Sequence, residues 1–251
     1  MLAVFKRDLR SYFITPIGYV FVAVFLAVNG GLFSLNTLQQ GTQSNTGSYF
    51  SALILGLILV IPLLTMKIFS EEKKQKTEQL LMTSPISLGG MVFGKFLAAY
   101  TVFAGTFLVG SLQYLALIEY GPTVPVYKNG TLVKYVSDYN MAPILGSMLA
   151  VLLVGAAFIA IGIFVSSLTE NQFISAIGTI VLMGSFLVIG MLNSAIPFAP
   201  VREVLSWLSV YSRYGNFTRG YLDFGALLYY TSISFIFLFL TVRIYEKRRW
   251  S

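Results

Sequence analysis

The side chains able to do chemistry in this chain are few. The densest group of them is one stretch, Glu71-Glu72-Lys73-Lys74-Gln75-Lys76-Thr77-Glu78, which runs on into Leu80-Leu81-Met82-Thr83-Ser84-Pro85. Opposite charges four apart, Glu72 with Lys76 and Lys74 with Glu78, predict an ordered, exposed helix. Charged along its rim and apolar at its end, such a helix suits docking onto another protein rather than bond-making. The plainer reading is a solvated loop carrying lysines. The chain has no His and no Cys, which excludes a thiolate nucleophile, a Cys or His metal site and a histidine general base. Its aspartates are Asp8, Asp138 and Asp223. None lies in an apolar run, which argues against a paired-aspartate protease.

Gly89-Gly90-Met91-Val92-Phe93-Gly94-Lys95 fits the opening of a phosphate-binding loop, G-x-x-x-x-G-K, but Phe96 stands where that loop needs Ser or Thr for magnesium. No buried strand precedes it, so the sequence predicts no nucleotide cofactor and no ATP hydrolysis by this chain. Lys95 then reads as a lysine snorkelling from the mouth of an apolar run. Glu170 is the one charge in its turn. Arg202, Arg213, Arg219 and Asp223 form a further polar group, suited to substrate or, more commonly, to interfacial anchoring on lipid headgroups.

The elements that must position these groups follow from composition. Of 251 residues, 56% are hydrophobic and 11% charged, where a soluble domain has about 25% charged. The chain is therefore built for a bilayer. Its net charge of +7 is scattered among membrane-length runs, which fits anionic lipid and control of orientation rather than nucleic acid. Six runs reach the roughly 20 residues a span requires: 16–36, 49–66, 91–118, 142–168, 173–192 and 224–242. The third and fourth are long enough to tilt, and Pro62 predicts a kink in the second. The expected fold class is all-α, a polytopic membrane protein with six transmembrane helices in a single domain over residues 1–251.

Twelve Lys and Arg fall on the side of the N-terminus and five on the other, so the positive-inside bias puts both termini in the cytoplasm. Before the first run, Leu2, Phe5, Leu9 and Tyr12 recur at helical spacing opposite Lys6, Arg7 and Arg10, which predicts an interfacial helix. Thr15-Pro16 then turns the chain into the bilayer. The apolar run that follows is too long for a leader and reads as a retained span. On the outer side, 36–48 is a short polar loop, and 119–141 carries turn signals at Pro122, Pro125 and Asn129-Gly130. The segment 194–223 mixes aromatics with prolines and predicts short helices dipping into the outer leaflet. Gly146/Ala150, Ala156/Ala160 and Gly162/Ser166 give the fourth span small-residue pairs for close packing. Span cores without acidic or basic residues, and without inverted-repeat interruptions, argue against ion-coupled transport. A self-contained channel or facilitator stays as the alternative.

Blocks along most of the chain carry a resemblance. They are Phe5-Lys6-Arg7-Asp8-Leu9-Arg10, Phe69-Ser70-Glu71-Glu72-Lys73, Thr77-Glu78-Gln79-Leu80-Leu81-Met82-Thr83-Ser84-Pro85, Ser166-Ser167-Leu168-Thr169-Glu170-Asn171-Gln172, Asn216-Phe217-Thr218-Arg219-Gly220-Tyr221-Leu222-Asp223 and Arg248-Arg249-Trp250. In this order they resemble the ABC-2 type transporter permeases, above all the gliding-motility-associated and nitrous-oxide-operon branch. That family often has Gly just before the Thr of the second block, where this chain has Lys76. The resemblance implies an exporter-type half-transporter in a bacterial inner membrane. Two permease copies, alike or different, would work with separate ATP-binding subunits and no cofactor of their own. It further implies a cytoplasmic coupling helix after the second span. The positions it marks for ATPase contact are Glu71, Glu72, Lys73, Thr77, Glu78 and Leu81, with Phe5 and Arg7 of the N-terminal helix and Glu170. It gives no substrate.

Overall fold

The computed structural model of this chain describes residues 1–38, 46–77, 87–115, 123–128, 131–137, 141–192, 209–210 and 213–250. Glu78, Leu81 and Arg202 lie outside the described residues, as do Asp138 and the Asn129-Gly130 turn signal. Helix α1 (Leu2–Ile14) precedes the first span, α2 (Pro16–Phe33), which a π-helical turn extends over Ser34–Leu38. Thr15 between them is extended, with φ −86° and ψ 150°. That is the conformation a residue before proline prefers, and Pro16 at the first helical position lacks only an N–H that would be unpaired anyway. Gly18 permits the tight corner, because a Cβ there would meet the Tyr12 carbonyl oxygen at 2.1 Å.

The second span, α3 (Thr46–Thr65), contains Pro62 and leads into a short helix, α4 (Ser70–Lys74). The third, α5 (Leu88–Ser111), starts at the N-cap Ser87, whose Oγ accepts from the Gly90 amide at 3.2 Å. Two strands, β1 (Thr123–Lys128) and β2 (Thr131–Ser137), pair antiparallel on either side of Asn129-Gly130. This hairpin is an addition to the expected helical plan, and it lies in the segment where the sequence showed only turn signals. The remaining spans are α6 (Met141–Leu168), α7 (Gln172–Leu192) and α8 (Phe224–Trp250), with a 3-10 turn over Tyr214–Arg219 ahead of the last. Six helices are thus long and apolar enough to cross a membrane. Each overlaps a run marked in the sequence, and α8 continues eight residues past the apolar stretch.

Helix α6 is the most buried span and packs against α3, α5, α7 and α8. Between membrane helices, lipid gives little net drive to bury apolar surface, so close approach and dispersion decide which faces meet. Small residues make that approach here. A Cβ on Gly162 would lie 2.2 Å from Thr65 Oγ1 of α3, and one on Gly155 would lie 2.1 Å from the Phe103 ring of α5. Gly146 meets the Phe217 carbonyl in the same way, at 2.7 Å. A ring cluster of Phe33, Tyr49, Phe50 and Tyr114 fills the space between α2, α3 and the end of α5. Beside it, buried Asn29 accepts hydrogen bonds from Tyr49 Oη and from Gln113 Nε2, the latter at 2.9 Å. The faces of α7 and α8 that carry Phe173, Ile177, Val181, Phe235 and Phe239 point outward, as lipid contact requires.

Candidate functional site

The charged groups converge where α3 ends and the chain breaks into α4. A helix break leaves backbone groups that must find partners, and side chains from three other elements supply them. Tyr12 Oη of α1 donates to the Leu64 carbonyl at 3.0 Å, and Lys95 Nζ of α5 donates to the Ile68 carbonyl at 3.0 Å. Ser166 Oγ, in the last turn of α6, accepts from the Phe69 amide at 3.1 Å and the Ser70 amide at 3.2 Å, and donates to the Met66 carbonyl at 3.2 Å. Burial and the nearby Asp8 charge push the Tyr12 phenol well up from its ordinary value, which keeps it a donor.

Around this break runs an alternating ion-pair network. Arg7 of α1 bridges Asp8 at 2.7 Å and Glu72 of α4 at 2.9 Å. Lys95 reaches Glu72 at 2.7 Å and Asp8 at 3.4 Å, with only 3% of its side chain exposed. Its ammonium also sits 4.9 Å from the centre of the Phe69 ring. The expected snorkelling lysine is therefore corrected: Lys95 is turned inward, where two carboxylates, a carbonyl and a ring replace its water. The G-x-x-x-x-G-K match is helical from Leu88 onward, so it forms no phosphate-cradling loop.

The expected pairing within the charged stretch is corrected as well. A helix does follow the second span, but Glu72 pairs with α1 and α5 rather than with Lys76, and α4 ends at Lys74; Glu78, the partner expected for Lys74, lies outside the described residues. Lys76 lies in the left-handed region, at φ 57°, where a side chain is strained and glycine is not. Lys73 is buried, its Nζ on the Ser167 carbonyl at the C-terminus of α6. Arg248 of α8 donates to the same carbonyl at 3.2 Å, and two cations at a helix C-terminus match its partial negative charge. The Phe69 and Tyr245 rings meet at 4.8 Å, which ties α8 to the same joint. Between α1 and α4 a cleft of about 360 Å³ opens, with Arg7, Asp8, Lys67, Glu71, Glu72 and Lys95 among its walls.

A model of the ABC-2 family transporter proteins matches residues 21–245 of this chain. The chain belongs to that family. Comparison with curated proteins finds no match. The family match begins inside α2, so α1 and its network residues Arg7 and Asp8 lie ahead of it. This ABC-2 family protein is a multi-pass membrane transport component, and the joint just described is where α1, α5 and α6 touch one five-residue helix while α8 meets Phe69 at its N-cap.

The remaining marked residues of the ABC-2 protein divide by location. Glu71 is half-buried and Thr77 likewise, while Lys74, Gln75 and Lys76 are exposed beside them. Phe5 is half-buried on α1, and Glu170 is exposed in the turn between α6 and α7. At the opposite end of the last span, Asp223 caps α8. Its Oδ1 accepts from the Gly225 amide at 2.8 Å, and its Oδ2 accepts from Asn216 Nδ2 at 2.8 Å. The Asn216 hydrogen bond first, then the backbone amides and Arg213, lower the Asp223 pKa from its ordinary value. The Arg213 guanidinium stacks 4.8 Å from the Tyr229 ring, and Arg219 is exposed. Asp8, Lys95, Ser166 and Tyr245 joined the site unannounced. In the sequence Lys95 stands out as a lysine at the mouth of the third apolar run, and Asp8 and Ser166 as members of the blocks quoted above.

Proposed function

We propose that the protein is the permease subunit of an ATP-binding cassette exporter, driven by a separate ATP-binding subunit that docks on the end carrying α1 and α4. The observation that supports this most is the joint itself. Glu72 and Lys73 of α4 are held to α1, α5 and α6 through ion pairs and a buried hydrogen bond, and Phe69 to α8 through its ring. A push on so short a helix would reach four elements at once, which a lever must do and a solvated loop would not. In this reading Glu71, Thr77, Glu78, Leu81, Phe5, Arg7 and Glu170 present the contact surface, and Glu72 and Lys73 pass the load inward. Both termini are cytoplasmic, in keeping with the twelve-to-five bias in basic residues, and the membrane is a bacterial inner membrane. Two permease copies enclose the path, and closing of the ATP-binding subunits rocks each copy through α4. Arg213, Arg219 and Arg202 serve lipid or substrate on the far side, while Asp223 holds the end of α8.

Co-purification in mild detergent with a candidate ATP-binding subunit from the same organism tests this. The native chain should retain the ATPase, and the Glu71→Lys, Glu78→Lys double variant should lose it while remaining folded. Retention by neither, together with ion conductance from the reconstituted chain by itself, would establish the channel reading instead.

A further inference from the structure

We propose that the cleft between α1 and α4 binds the headgroup of a phospholipid bearing a primary ammonium, phosphatidylethanolamine being the simplest. The inference needs only the membrane setting of this chain, though Arg7 and Glu71 of the cleft also belong to the surface proposed above for ATPase contact. Four observations carry it.

The first is position. Thr15 and Ile17, at the corner where the chain enters the first span, line the cleft, and so does Ile68 just past the second span. Its walls therefore stand at the level where the spans begin, which is headgroup depth. The second is charge. Arg7, Lys67 and Lys95 line it together with Asp8, Glu71 and Glu72, and three cations with three carboxylates leave it no net charge. A zwitterion suits such a site, and an anion gains little from it. The third is unmet hydrogen bonding. Asp8 Oδ2 and Glu72 Oε2 are buried, and among the described residues neither accepts a hydrogen bond. Asp8 Oδ2 has only the 3.4 Å ion-pair contact with Lys95. Buried carboxylate oxygens without donors are costly, and the three N–H donors of a primary ammonium match them. Two donors of the cleft are less fully used. Arg7 is 48% exposed and, among the described residues, its Nη1 pairs with no carboxylate, and Lys67 holds Glu71 only loosely, at 3.6 Å. They suit the phosphate. The fourth is size: about 360 Å³ falls in the range of small-ligand clefts, roughly 300 to 1,000 Å³.

The chemistry sets a sharp test. Phosphatidylcholine has the same phosphate and net charge but no N–H on its nitrogen, and phosphatidylglycerol has no cation. The full-length chain would be extracted from bilayers holding equal parts of the three lipids, and bound lipid counted by native mass spectrometry. Phosphatidylethanolamine should be retained at least fivefold over each of the others. Ser11→Trp, an exposed position that would fill the cleft without changing its charge, should abolish the preference, and Glu71→Gln should reduce it; both variants must keep the native thermal transition. Equal retention of the ethanolamine and choline lipids would overturn the proposal, as would a preference for the glycerol lipid. So would a phosphatidylethanolamine preference indifferent to both variants, which would place it elsewhere on the protein. If millimolar soluble phosphoethanolamine displaces the lipid, the site takes a soluble ligand and the membrane source is refuted. None of these outcomes bears on whether an ATP-binding subunit co-purifies, so the two readings fail separately.

Discussion

Lys76 and Lys95 show how differently one residue type is used within thirty positions of chain. Lys76 has φ 57°, a conformation that costs a non-glycine residue roughly 1 kcal/mol or more. Lys76→Gly should accordingly raise stability by about 1 kcal/mol, read as a higher midpoint of thermal unfolding in detergent; a lower midpoint would mean that the lysine head makes a contact outweighing the strain. Lys95 is the reverse case. Removing it as Lys95→Met leaves Asp8 and Glu72 with Arg7 as their shared ion-pair partner, so the cost should stay below the roughly 3–5 kcal/mol typical of orphaning a buried charge. Adding Glu72→Gln to that variant should recover part of the loss, and a double variant no better than the single one would refute the pairing. Asp223 gives the pH dependence. Its pKa is lowered in the folded chain by Asn216, by the amides that open α8 and by Arg213. Its stabilising effect is therefore present above the ordinary carboxylate pKa of 3.8 and is lost as pH falls through the lowered value. Protection of the Gly225 and Ala226 amides, relative to their intrinsic exchange rate at each pH, should fall only below the ordinary carboxylate pKa of 3.8, and Asp223→Asn should flatten that response.

At the scale of elements, α4 is set by its neighbours rather than by its own sequence. Five residues are too few to hold a helix in water. It persists because Ser166 of α6 binds the Phe69 and Ser70 amides, and because Lys73 and Glu72 are anchored in other helices. Ser166→Ala would leave those amides without their acceptor, at a cost of about 1–3 kcal/mol. Hydrogen exchange at Phe69 and Ser70 should then rise at least tenfold while exchange within α6 stays unchanged. If the coupling reading holds, the same variant should weaken ATPase-driven transport more than ATPase binding, because it slackens the lever and leaves the docking surface intact. Equal loss of both would make Ser166 a general packing residue. The i,i+4 pairing that predicted a longer exposed helix went wrong for a related reason. Local charge spacing contributes only about 0.2–0.5 kcal/mol per pair, and Glu72 found stronger partners in Lys95 and Arg7.

For the whole molecule, the close approach of α3 and α6 sets the bundle. Gly162→Leu should drive these helices apart and destabilise by about 1–3 kcal/mol or prevent assembly, since even a Cβ would meet Thr65 at 2.2 Å. Reporter fusions to the two ends should both report the cytoplasm; a split result would overturn the orientation. The solvent, the number of spans and nearly all their limits are legible in the chain without its fold, because each is a property of a continuous apolar run matched to bilayer thickness. So is the corner at Thr15-Pro16, which backbone sterics dictate locally. Which charges meet is settled by the folded arrangement of the helices instead. Asp8, Glu72 and Lys95 come from segments tens of residues apart, and Lys95 reads as a surface lysine until those carboxylates are brought to it. Asn29 and Gln113 pair across two spans for the same reason. A hydrogen bond or ion pair inside a membrane protein depends on register between helices, and that register is fixed by where Gly155 and Gly162 let backbones come together rather than by any local pattern in the chain.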